Sequence, residues 1–173
     1  MKTMFKAALA ATVATGLFAS PALAASAGTS SFGAKAVIVK PVTITKVKDL
    51  DFGTTVMNSS LTSAKVTVSD ATGSTAVCSS TMLTCSGGFP AQFTLTAGVR
   101  LQTVQISFDV PPTQLNHTTI TGASVPFALD AVENVTLDTN GEGSFNVGGE
   151  ITVASSTADG TYTGTVNIVA NYL

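Results

Sequence analysis

Over residues 160–172 the chain alternates with a period of two: Tyr162, Val166, Ile168, Ala170 and Tyr172 share one parity, threonines and asparagines fill most of the other, and Val169 is the exception. Successive side chains of an extended strand point to opposite faces, so this alternation, rich in β-branched residues, predicts one long half-buried strand over 161–172. Its penultimate residue is an aromatic aimed at the core. A chain with this ending reads as a β-sandwich built to assemble or to bind rather than as a chemical catalyst.

The same signature recurs upstream. Short β-type runs bounded by turn residues are read at 35–47, 50–52, 64–68, 89–95, 101–108, 125–129, 135–137 and 143–153, and no amphipathic helix emerges, so the fold class is all-β. Pro41 cannot donate a ladder hydrogen bond and breaks the first run into a bulged edge strand or two strands. Asn140-Gly141 is the strongest hairpin signal, joining Val135-Thr-Leu137 to Ser144-Phe-Asn-Val147. Pro111-Pro112 marks an exposed connection. Phe52, Phe93, Phe108, Phe127, Phe145 and Tyr162 are the core candidates.

Lys2 and Lys6 precede an apolar stretch over 7–19 and then Ser20-Pro-Ala-Leu-Ala24, the form of a secretory signal peptide over residues 1–24. The apolar stretch is shorter than the roughly 20 residues a membrane-spanning helix needs, and no other segment is long and apolar enough. Residues 25–34 read as a flexible N-terminal segment and 35–173 as one β-sandwich domain. The short lysine-led leader points to a bacterial chain bound for the periplasm or cell surface of a Gram-negative cell. Without Lys2 and Lys6, six of the eight basic residues remain against ten acidic ones, spread without runs, so nothing suggests nucleic acid or anionic lipid. Charged residues are 10% of the chain, against about 25% in an average protein, and threonine takes their place with 28 copies. Threonine is polar and β-branched, which suits the solvent face of a strand.

Cys78 and Cys85, the only cysteines, are expected to form a disulfide in an oxidising compartment. So short a loop stabilises by roughly 2 to 3 kcal/mol and reads as trimming a hairpin. A zinc site lacks ligands, since His117 is the only histidine. Asp138-Thr-Asn-Gly-Glu-Gly143 imitates the first half of a calcium loop, but the twelfth position is Gly149, with Glu150 one residue late, so a hairpin turn is the better reading. His117 sits in a polar stretch with no nucleophile-elbow serine in the sequence, and reads as a loop residue. Glycines 141, 143, 148 and 149 flank strand pattern with no helix after them, which fits turns or bulges rather than a phosphate cradle. With no tryptophan and two tyrosines, ring stacking on carbohydrate is a weak route. The N-x-S/T triplets at Asn58, Asn116 and Asn134 are read as unused in a bacterial chain. No catalytic residue, cofactor or metal is expected.

Two segments, Asp49-Leu-Asp-Phe-Gly-Thr-Thr-Val56 and the pair Gly143-Ser-Phe-Asn-Val-Gly-Gly149 with Gly160-Thr-Tyr-Thr-Gly-Thr-Val-Asn-Ile-Val-Ala-Asn-Tyr172, resemble a bacterial family of secreted domains of unknown function. That family is similar to spore-coat-protein-U-like domains and to subunits of archaic chaperone-usher pili. The resemblance implies a single antiparallel immunoglobulin-like, pilin-like sandwich that lacks one strand, with the groove filled by the N-terminal segment of a like subunit, or first by a periplasmic chaperone. It places the groove along Tyr162, Val166, Ile168, Ala170 and Tyr172, and the donor strand at Phe32, Ala34, Ala36 and Ile38. The expected function is a non-enzymatic structural or adhesive protein of the envelope, in the fibre reading a pilus or surface-fibre subunit. The alternative is a stand-alone monomeric binding module whose first strand closes its own sandwich and whose contact loops are 116–122 and 138–143.

Overall fold

A computed structural model describes residues 28–131 and 134–173; the expected signal peptide, residues 1–24, lies outside them. The chain divides into Met1–Ala36 and Val37–Leu173. In the first unit, residues 28–36 form no helix or strand. The second is all-β and antiparallel throughout, with no helix among the described residues, and its sheets curl into a half-barrel.

The largest sheet runs, in spatial order, β1 (Thr43–Lys48), β6 (Ala91–Thr96), β11 (Gly143–Ala154), β9 (Ser124–Ala131), β8 (Gln114–His117) and β12 (Tyr162–Thr163). Alongside β11 it also takes β3 (Ser63–Val68), which carries the two-residue β4 (Val77–Cys78) at its outer edge. A second sheet places β7 (Thr103–Asp109) between β10 (Asn134–Thr136) and β13 (Asn167–Tyr172), and β2 (Thr54–Met57) pairs with β5 (Leu83–Ser86) as a ribbon.

β11 organises this arrangement. Its residues 143–147 pair with β6, residues 149–154 with β3, and residues 147–151 with β9. Val147 is paired to β6 and β9 at once, and residues 149–151 to β3 and β9, so β9 keeps one side while the partner on the other changes at Gly148. Only glycine fits that crossover, because a Cβ on Gly148 would run into the Val68 carbonyl oxygen and lie 2.7 Å from the Asp70 amide.

The fully buried residues are aliphatic. Leu95, Val104 and Leu137 centre one cluster with Phe145 and Val147, and Val66 centres another with Leu61, Leu83 and Val153. Of the six aromatics expected in the core, only Phe127 and Phe145 are buried; Phe52, Phe93, Phe108 and Tyr162 are half-buried.

The structure corrects several sequence readings. The first strand starts at Thr43, and residues 37–42 form none, because Pro41 supplies no N–H to a ladder. Run 50–52 is reduced to a bridge between Asp51 and Phe89, while β2, β4, β5 and β8 are strands too short to leave an alternation. The terminal strand is two: β12 pairs with β8 and β13 with β7, separated by residues 164–166. Asn140-Gly141 does not close a hairpin, since β10 pairs with β7 and the turn carries the chain to β11 in the other sheet. Nor does the Cys78–Cys85 bond trim a hairpin, since β4 and β5 belong to different sheets. Replacing Gly148 by alanine is expected to destabilise the domain by about 2 kcal/mol in urea unfolding. Gly33→Ala, where a Cβ meets nothing within 4 Å, should stay within about 0.5 kcal/mol of wild type.

Candidate functional site

The half-buried phenylalanines share a location with the buried Phe127. Phe52, Phe93, Phe108 and Phe127, with Leu129 and Ile151, line an open groove of about 1300 Å³. Phe52 meets Phe127 edge to face at 6.1 Å, and Phe93 stacks on Phe145 at 5.2 Å, so the groove floor continues into the core. A volume above the roughly 300–1,000 Å³ of a small-molecule site suits an extended occupant.

Two edge strands contribute to its lining. Among the described strands β1 pairs with β6 alone and β13 with β7 alone; β1 supplies Ile44 and Lys46, the start of β13 supplies Asn167 and Ile168, and Val166 lies just ahead of β13. The Leu173 amide donates to the Thr103 carbonyl at 3.2 Å, and the register then sets Asn167, Val169 and Asn171 in hydrogen-bonded pairs with β7. In an antiparallel ladder the intervening residues turn their backbone groups the other way. The N–H and C=O groups of Ile168, Ala170 and Tyr172 therefore face the unpaired edge, which at about 3.4 Å per residue offers some 20 Å for an added strand.

Both segments singled out by sequence border this groove. In Leu50-Asp-Phe-Gly53, the Asp51 carboxylate accepts the Gly53 amide at 2.7 Å, and Gly53 takes φ +69°, where a Cβ would strike the Ser86 carbonyl. That turn aims Phe52 at Phe127. In Gly160-Thr-Tyr-Thr-Gly164, Gly160 packs so closely on the His117 ring that no Cβ would fit. Nδ1 of His117 accepts the amides of Thr119 and Ile120 at 3.1 and 3.0 Å, so the ring carries its proton on Nε2, which donates to the Asp159 carbonyl at 2.9 Å. Tyr162 lies edge-on to that ring, 5.0 Å between centroids, and its hydroxyl donates to the Ala158 carbonyl at 2.7 Å. His117 thus pins the 157–163 rim of the groove, a role for which its surroundings in the sequence carry no signal.

Of the expected groove residues, Tyr162, Val166 and Ile168 line the cavity, whereas Ala170 and Tyr172 pack on the Leu95–Val104–Leu137 cluster and the Tyr172 hydroxyl accepts the Val99 amide at 2.9 Å. Phe32, Ala34, Ala36 and Ile38 are exposed and belong to no strand. Cys78 and Cys85 are bonded, 5.8 Å between Cα atoms. Phe93, Phe108, Phe127, Leu129 and Ile151 were not foreseen as groove residues, because alternation marks a face as apolar without saying whether another strand covers it. No group of three or more histidine, cysteine, aspartate or glutamate side chains placed to hold a metal ion occurs among the described residues.

The sequence matches the family model described as Domain of unknown function (DUF4402) over residues 42–172. The chain belongs to the DUF4402 family. Both β1 and β13 lie inside the DUF4402 domain, and the 28–41 segment lies outside the match. Searches of curated proteins and of solved structures return no match.

Within the DUF4402 domain, the Asp138 loop is occupied by its own backbone. One carboxylate oxygen accepts the amides of Asn140 and Glu142, both at 2.8 Å, and Gly141 sits at φ +79°. The Glu142 amide first, and the Asn140 amide second, hold the Asp138 carboxyl below its ordinary value of 3.8. A depressed acid contributes stability that is complete above 3.8 and is lost as pH falls through the lower folded-state value. Asp138→Ala is therefore expected to lower the melting temperature at neutral pH by an amount that shrinks once pH drops below 3.8; melting curves across that range check it.

Proposed function

We propose that this chain is a secreted, non-enzymatic structural or adhesive protein of a Gram-negative envelope, whose groove accepts an added β-strand. In this reading the half-barrel is an incomplete immunoglobulin-like sandwich, and the missing strand comes from a like subunit, with a periplasmic chaperone holding the groove beforehand. The observation that carries it is the coincidence of an apolar, phenylalanine-lined groove with two edge strands, one offering the unpaired backbone of Ile168, Ala170 and Tyr172. Main-chain bonds supply affinity in strand addition and alternate side chains supply specificity.

The donor is read as the segment ahead of β1, where Phe32, Ala34, Ala36 and Ile38 share one parity. Val37, Ile38 and Val39 are 75%, 91% and 54% exposed, an apolar run that lacks cover. Closure of this segment onto the β1 edge of its own chain through a two-residue hairpin is disfavoured. Folding back onto β1 would place Pro41 and Val42 at the centre of a two-residue hairpin, whose favoured forms require positive φ at the first central position. Proline is locked near −65°.

Deleting residues 25–40 is expected to leave a domain that folds poorly and is rescued by a peptide of those residues. Unchanged stability together with no peptide binding would overturn the reading, and size exclusion of the mature chain after mild heating separates a polymer from a monomeric module.

A further inference from the structure

Beyond what fills the groove, the fold raises the question of what holds it open. Phe52, Thr54, Thr55 and Val56 form one part of its wall. β2, which carries the last three, pairs with no strand of either larger sheet; among the described strands its one partner is β5. In that ribbon Thr55 stands opposite Cys85. Cys78 stands opposite Val66 of β3, and β3 is paired to residues 149–154 of β11. The disulfide therefore ties the central strand to the groove wall through β3, Cys78, Cys85 and β2. Its non-covalent seconds are slight in backbone terms: the Ala76 amide donates to the Gly87 carbonyl at 3.0 Å, and Asp51 bridges Phe89. The remainder is packing of Phe52, Met57 and the two cysteines on the Leu61–Val66–Leu83 cluster. β4 is two residues long and lies at a sheet edge; beside Cys78, the Ser79 amide donates to the Lys65 carbonyl at 2.9 Å and the Lys65 amide to the Ser79 hydroxyl at 2.8 Å, which hold this edge on β3 and leave the disulfide as its covalent tie to β5. Both cysteines are half-buried, within reach of a small thiol.

We propose that the Cys78–Cys85 disulfide is a redox gate on the groove, which takes an added strand when the bond is closed and loses its β2 wall when it is open. This rests on reading the groove as a strand acceptor. Closing the gate needs an external disulfide such as oxidised glutathione. The thiolate of one cysteine attacks it to give a mixed disulfide and one glutathione thiol; the second cysteine then displaces the other glutathione thiol. The two cysteines together lose two electrons and two protons, and one disulfide is reduced to two thiols. Reduction runs the same steps backwards. A preorganised wall lets binding proceed without first ordering β2, and that is the advantage the reduced chain forfeits.

The test uses the mature full chain, with a labelled peptide of residues 30–42 as the probe. Peptide affinity and amide hydrogen exchange are measured for the oxidised protein, the reduced and alkylated protein, and the double variant Cys78→Ser with Cys85→Ser. The expected result is a loss of affinity of roughly tenfold or more in both opened forms. Exchange protection should fall in β2 and β5 while β6, β9 and β11 keep theirs, and oxidised glutathione should restore binding to the reduced, unalkylated chain. Equal affinity in all three forms overturns the gate and leaves the strand-acceptor reading standing. Protection lost throughout the domain on reduction also overturns it, since the bond would then be a general stabiliser. An oxidised chain that binds no peptide overturns the strand-acceptor reading itself, and the gate with it.

Discussion

The change of partner along β11 is the constraint on which the rest of the domain depends. One strand of twelve residues serves β6, then β3, on one side while β9 occupies the other, and Gly148 makes the exchange sterically possible. Because β6 leads to β1, and β3 to β4, the two halves of β11 send the large sheet in two directions. The sheet can then curl around an interior instead of closing flat on a partner. The two buried clusters follow from this division, one beside the Phe145 half of β11 and one beside the Val153 half.

The groove is a consequence of the same curl. Edge strands are normally shielded by charge, brevity or cover. Here β1 presents Lys46, in an exposed ion pair with Asp49 at 2.7 Å that contributes little by itself. β13 instead presents an alternation of asparagine, isoleucine and alanine with open backbone groups. Phenylalanines that would be core in a closed sandwich stay half-buried, which is the condition a strand-accepting surface requires: apolar area held in place by its neighbours and left for a partner to cover.

Two local devices keep this surface shaped. The Asp51–Gly53 turn positions Phe52, and the neutral His117 ring, gripping Thr119, Ile120 and the Asp159 carbonyl, holds the rim opposite Tyr162. These are the places where the two recognisable sequence segments acquire a physical reason. Gly53 is there because a Cβ would meet backbone and Gly160 because it would meet the histidine ring, while Phe52 and Tyr162 line the groove.

By itself the sequence determined the all-β class, most of the longer strands, the face that each turns inward, and the disulfide, since alternation and cysteine pairing are read within a few residues. Tertiary structure alone decided that residues 161–172 divide between two sheets, that Asn140-Gly141 crosses between sheets, and that Phe93, Phe108 and Phe127 line a groove. It also turned the short Cys78–Cys85 loop into a link between sheets. The reason is the same in each case. A strand's faces are set by its own side chains, whereas its partners, and the edge left without one, are set by residues far away in the chain.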